Sequence, residues 1–222
     1  GSEMCIRDRG ITYNPSLAIL YHFLAILPFL GMLAFIHADR TPFSPGAYDN
    51  ASGVACMLSI AQWLKDNPLA RTTVWFVATG CEETGAGGMQ ALMKTRYTAW
   101  QEALWINLDQ TGIGGLYIRL KEGMLRRYAA HPGALSLARE ASKISGIKLR
   151  ERESQAFSDA IIAHQKGLIA ISLGASPSDP SHATPRHQLT DVPEQIQRQT
   201  LKDTITYVLN VLELWDQQEQ VA

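Results

Sequence analysis

Carboxylates recur where apolar runs end. The uncharged run TTVWFVATG (72–80) leads into Cys81-Glu82-Glu83, and ALWINL (103–108) leads into Asp109. Asp49 stands in the loop SPGAYDNASG, just before an amphipathic stretch. A Ser/Pro/His-rich loop after the last apolar run carries His182 and His187. In open α/β sheets, ligands bind outside the carboxyl ends of the strands, so groups at strand ends converge on one edge. Carboxylates gathered there repel one another unless a cation lies between them. Carboxylates with imidazole are good ligands for Zn²⁺. Two metal ions about 3.5–4 Å apart form a known hydrolytic arrangement.

Each residue also has a plainer reading. Asp49 can cap the helix that follows it. Glu82 and Glu83 can be first-turn acids placed for a helix dipole. Asp109 can form a turn, and His187 can be a surface histidine. Asp159 can be a helix cap or a support for a site residue. His22, His131, His164 and His182 read as structural or surface histidines, and Cys81 as a small hydrophobe.

The elements that must position these groups alternate. Residues 50–66 repeat apolar side chains at helical spacing (Val54, Met57, Leu58, Ala61, Leu64), and Asn67-Pro68 ends the pattern. Runs 72–80, 103–109, 116–120 and 168–174 are β-branched and apolar, as buried strands are. Helices are expected over 84–96, 132–145, 158–165 and 196–215, with Gly146 breaking the second of these. This alternation predicts an α/β fold with a mostly parallel central sheet flanked by helices. No repeat and no low-complexity tract interrupts it.

Composition sets outer bounds. The 222 residues carry 20 Lys plus Arg against 21 Asp plus Glu, a net charge of −1. That balance offers no basic excess for nucleic acid, and none is expected as a partner. Three cysteines, Cys5, Cys56 and Cys81, are too few and too scattered for a disulfide framework or a paired-cysteine zinc site. Residues 1–9, GSEMCIRDR, read as a cloning scar or assembly artefact, and the chain as truncated at its amino end. Ser16–Ile36 holds no Asp, Glu, Lys or Arg over 21 residues, close to the ~20 a membrane span needs. The domain reading is therefore a scar at 1–9, a hydrophobic transmembrane segment at 10–40 and a globular domain at 41–222. The flanking charges give no orientation, because only Arg40 counts once the scar is set aside. The expected location is the membrane, with the globular domain extracytoplasmic. Oligomeric state is not legible.

Five segments in order make a specific pattern: SPGAYDNASGVA, FVATGCEETGAGGMQAL, INLDQTG, SDAIIAHQKGLIAISL and HQLTDVPEQI. Together they resemble the M28 family of zinc peptidases over about residues 43–215. The resemblance implies a three-layer zinc-exopeptidase fold, a peptide substrate and two Zn²⁺ in the complete site. It implies that Asp49 bridges the two metals, Glu83 binds one and Asp109 the other. Glu82 matches the general base, which takes a proton from the metal-bound water and gives it to the leaving amine. His187 matches the remaining ligand better than His182, since Asp191 follows it by four residues and Ile196 by nine, as the family pattern requires.

The family also carries a His-x-Asp at the end of an upstream strand. His37-Ala38-Asp39 has the spelling but follows the uncharged stretch rather than a short strand. His37 is therefore left out of the expected site, and the true ligand is expected upstream. The resemblance implies an aminopeptidase. A non-catalytic receptor-like ectodomain and a glutaminyl-cyclase-like transferase are the alternatives on the same scaffold.

Overall fold

The structure is a computed structural model that describes residues 15–179 and 181–218. The expected scar at 1–9 lies outside them. The chain divides into two compact units, Gly1–Phe43 and Ser44–Ala222.

In the first unit, α1 (Pro15–Arg40) is one helix with Pro28 inside it. Its segment Ile19–Arg40 has a mean hydropathy of 2.2 with none of its most apolar window buried. Among the described residues it is the one helix long and apolar enough to cross a membrane. His37 and Asp39 lie on this helix, not at a strand end.

The second unit opens with a kinked turn at Ala47–Ala51, then α2 (Ser52–Asp66) and α3 (Gly87–Arg96). Next come β1 (Trp105–Leu108), β2 (Gly115–Glu122), β3 (Tyr128–Ala129) and α4 (Pro132–Ser145). The chain ends with β4 (Arg150–Glu153), α5 (Ala160–Gln165), β5 (Ala170–Ser176) and α6 (Arg198–Gln217). The sheet is mixed. β1 pairs β5 in parallel and β2 pairs β4 in parallel, while β2 runs antiparallel to both β5 and β3. Strand alternation cannot foresee the reversal, because Gly114-Gly115 turns β2 back along β5 within a few residues of β1.

Helices cover both faces. Ile60 of α2, Leu137 of α4 and Tyr207 and Val211 of α6 pack with Ile118, Ile171 and Leu173 of the sheet. On the other face, Met89 and Met93 of α3 meet Ile161 and Ile162 of α5 and Ala170 of β5. The result is helix, sheet and helix in three layers. Gly53 lets α2 approach β1 closely: a Cβ there would sit 2.6 Å from the Leu108 carbonyl oxygen.

One expected strand differs. Residues 72–80 join no ladder, and Trp75, Phe76 and Val77 are exposed. The run lines a cavity of about 730 Å³ whose other lining includes residues 102–109 of β1 and its approach. The apolar pattern reports a preference for burial on both faces. It cannot supply the neighbouring strand that a ladder requires.

A polar chain crosses this apolar core. Arg119, Glu122, Ser158, His164 and Ser172 are all buried. Burial, with the Arg119 charge beside it, pushes His164 down to about 4 from 6.5. Glu122 Oε1 stands 3.4 Å from His164 Nε2. In the unfolded chain His164 takes up its proton near pH 6.5, and in the folded chain only near 4. Stability is therefore lost as pH falls through that window, by about 3 kcal/mol. Urea midpoints between pH 7 and 4 should show this loss, and His164→Leu should flatten it. An unchanged slope in the variant would place the acid sensitivity elsewhere.

Candidate metal centre

Asp49, Glu83 and His187 offer ligand atoms that all lie within 4.8 Å of one another. His187 Nε2 is 2.7 Å from Glu83 Oε1 and 3.3 Å from Asp49 Oδ2. Three separate loops bring them there, and their local chemistry explains how.

The Asp49 loop is tied down by its neighbours. The Asp191 carboxylate, fully buried, accepts from the Tyr48 N–H at 2.6 Å and the Asp49 N–H at 3.1 Å. Asn50 Oδ1 accepts from the N–H groups of Gly53 and Gln110, while its Nδ2 donates to the Leu108 carbonyl. Ser52 Oγ donates to the Tyr48 carbonyl and accepts from the Thr111 N–H. The sequence YDNAS thus spends Asn50 and Ser52 on fastening the loop to the β1–β2 turn and leaves Asp49 for chemistry. Removing the Asp191 carboxylate strands two N–H groups, each costing about 1–3 kcal/mol if unpaired. Asp191→Ala should lower unfolding stability by roughly 2–5 kcal/mol, with Asp191→Asn intermediate. Equal urea midpoints for Asp191→Ala and the parent chain would show that the loop holds without it.

Left-handed backbone recurs at the other loops. Cys81 (φ 58°), Gln110 (φ 60°) and His187 (φ 60°) all adopt it without being glycine. Such residues cost of order 1–3 kcal/mol and cluster where surrounding structure over-determines a functional geometry. Each adjoins or is a residue expected from the sequence: Glu82, Asp109 and His187.

The charges are concentrated. Burial, then Asp109 and Glu83, raises Asp49 above the usual carboxylate range. Burial, followed by Asp109, Glu83, Asp159 and Asp49, pushes Glu82 up to about 7. Arg186 Nε offsets part of this at 3.3 Å from Asp49 Oδ2, and Gln110 Nε2 donates to the same oxygen. Asp49, Glu82, Glu83, Asp109 and Asp159 line one cavity. Asp109 does not join the three-ligand cluster and is held by Arg119 Nη2 at 2.8 Å. Asp159 accepts from the Thr79 hydroxyl. His182 pairs with Asp179 on the surface, and Cys81 is exposed rather than packed.

Sequence reasoning missed Arg186, Gln110 and Arg119. Arg186 directly precedes His187, and that position in the candidate loop is a usable signal. Nothing in the run LYIRL marks Arg119 as buried.

The donor set suits zinc. Two carboxylates and one imidazole, supplied by rigid loops, match the three protein ligands usual at a catalytic zinc. Among described groups of such residues this trio alone converges so closely.

Known proteins agree with the architecture. The zinc aminopeptidase BSAP of Bacillus subtilis superposes with a TM-score of 0.67 at 23% identity, covering 82% of this chain and 45% of its own. A Bacteroides thetaiotaomicron glutaminyl cyclase bound to N-acetylhistamine superposes with a TM-score of 0.57 at 22% identity, covering 78% of this chain and 64% of its own. In sequence, the aminopeptidase YwaD of Bacillus subtilis (strain 168) is 48% identical over 52 residues, 23% of this chain and 11% of that protein. The chain thus spans less than half the length of these two aminopeptidases. The family model described as peptidase family M28 matches residues 31–212. That match covers most of the chain and every residue of the metal centre, and with it the chain belongs to peptidase family M28.

Proposed function

We propose that this protein is a zinc-dependent exopeptidase of the aminopeptidase type. The observation that carries the reading is the convergence of Asp49, Glu83 and His187 within 4.8 Å, with Glu82 beside them. Asp49, Glu83 and His187 would hold one zinc, and Asp49 with Asp109 would contribute to a second. Bound zinc would polarise the scissile carbonyl and acidify the attacking water.

The chain's own part is proton transfer and orientation. Glu82, pushed up to about 7, sits near the pH at which a group both takes and gives a proton readily. Its carboxylate accepts the proton of the attacking water, and its carboxyl returns that proton to the leaving amine. Burial in the cavity wall is the first cause of that rise. Arg186, next to Asp49, lies where it can meet a substrate carbonyl or a free carboxylate. The membrane is the proposed location, through residues 16–36 of α1, with the globular unit extracytoplasmic.

The test is zinc per chain in detergent-solubilised protein, together with release of an amino-terminal residue from an aminoacyl-chromophore. Zinc binding with hydrolysis of a free but not an amino-blocked substrate supports the aminopeptidase reading. Cyclisation of an amino-terminal glutamine without hydrolysis would assign the transferase instead. Zinc without either activity would assign the receptor-like alternative.

A further inference from the structure

We infer that Arg119 is a positioning residue that holds Asp109 for its metal, clamped in turn by Glu122 from inside the core. The inference rests on the zinc reading above and concerns a residue to which that reading gives no role.

Arg119 lies on β2, ten residues after Asp109, and is only 5% exposed. A guanidinium taken so far out of water needs partners for its donors. It finds them at both of its terminal nitrogens. Nη2 donates to Asp109 Oδ2 at 2.8 Å, while Nη1 donates to Glu122 Oε2 at 3.2 Å and Ser172 Oγ at 3.3 Å. Glu122 has no exposed surface and accepts from Ser158 Oγ at 2.9 Å, and Ser158 and Ser172 are 3.0 Å apart. The guanidinium is thus fixed at its inner end by Glu122 of β2 and Ser172 of β5, both of which Ser158 braces in turn. Its outer end presents a single N–H donor to one oxygen of Asp109.

The consequence for Asp109 is geometric and electrostatic. With Oδ2 engaged, the carboxylate is held in orientation. Groups that hydrogen-bond to ligands orient them, and their removal typically costs ~10–100-fold in metal affinity. The pairing leaves Asp109 a carboxylate facing Asp49 and Glu82, whose pKa values its charge raises, so the group keeps its attraction for a cation. A fork-shaped, permanently charged donor suits this place better than an ammonium would.

Breaking such a pair by removing one partner strands a buried charge, so Arg119→Met alone is uninformative. Two other variants avoid that. Arg119→Lys keeps the charge and loses the fork. The double change Arg119→Met with Glu122→Met removes both buried charges of the clamp, a replacement that is often neutral or stabilising. Zinc titration from zero to two equivalents, followed by competition with a metal indicator, reads the two sites in order of affinity. Thermal unfolding of the zinc-free chain reads stability.

The expected result is an unchanged first zinc, at Asp49, Glu83 and His187, in both variants. The second zinc should weaken about 10–100-fold in both, while the double variant unfolds at or above the parent temperature. An unchanged second affinity in the double variant overturns the inference. So does loss of both zincs together, which would make Arg119 a structural residue. Absence of any first zinc in the parent chain would instead sink the metal reading, a separate outcome.

Discussion

Glu82→Gln is expected to retain zinc and to lose most activity. Gln is nearly isosteric and remains polar, so the loop after residues 72–80 has no reason to move. It cannot accept a proton, and general acid–base catalysis typically contributes ~10²–10⁴-fold, so kcat should fall by that factor. Glu82 is suited to the role by its surroundings. Burial and the charges of Asp109, Glu83, Asp159 and Asp49 push it up to about 7. Glu83 instead faces His187 at 2.7 Å. Two adjacent glutamates thus have different surroundings, Glu83 in the cluster with Asp49 and His187 and Glu82 beside it in the cavity wall. Unchanged kcat in Glu82→Gln would move the base elsewhere in the cavity. Loss of zinc would make Glu82 a ligand.

Much of this arrangement is legible in the sequence, and the parts that are not share a cause. Helix positions follow from local patterns: α4 runs over Pro132–Ser145 as expected, and Gly146 ends it in left-handed backbone. Strand existence follows from apolar runs, as β1 and β5 show. Strand pairing does not. The run 72–80 has the composition of a buried strand but joins no ladder, because a ladder depends on a second strand far away in the chain. β4, Arg150–Glu153, is the converse. Its four charged residues show no strand pattern, yet it pairs β2 with its side chains in exposed ion pairs such as Arg139–Glu151. Edge strands are often charged for that reason.

The site divides in the same way. Asp49, Glu82, Glu83, Asp109 and His187 are visible because they sit in motifs or at the ends of apolar runs. The residues that hold them are visible only in three dimensions. Asp191 fixes Asp49 from 142 positions away, and Arg119 reaches Asp109, just past β1, from β2 on the far side of β5. His37 has the right spelling for a ligand, but it lies on a helix in the other unit. Spacing along the chain carried the chemistry; the supporting contacts depended on which strands became neighbours.

Asp49→Ala is expected to cost more zinc than Asp109→Ala. Asp49 Oδ2 already lies 3.3 Å from His187 Nε2, and its carboxylate completes the one three-ligand cluster among the described residues. Removing it leaves Glu83 and His187, two ligands where a catalytic zinc usually has three. In the proposed site it also removes the carboxylate assigned to both metals. Asp109→Ala leaves that cluster whole and removes one of the two carboxylates that Arg119 meets. Zinc per chain after dialysis against a weak chelator is the measurement. In Asp49→Ala it should fall close to zero. In Asp109→Ala the tight zinc should persist, with only a second, weaker equivalent lost. The loop need not unfold in Asp49→Ala, because the Asp191 carboxylate binds the backbone N–H of residue 49 and not its side chain. Circular dichroism can confirm that the helices remain. Equal zinc losses in the two variants would argue against a bridging Asp49 and for two independent sites. Retention of tight zinc in Asp49→Ala would mean that another donor, with Glu83 and His187, makes the centre.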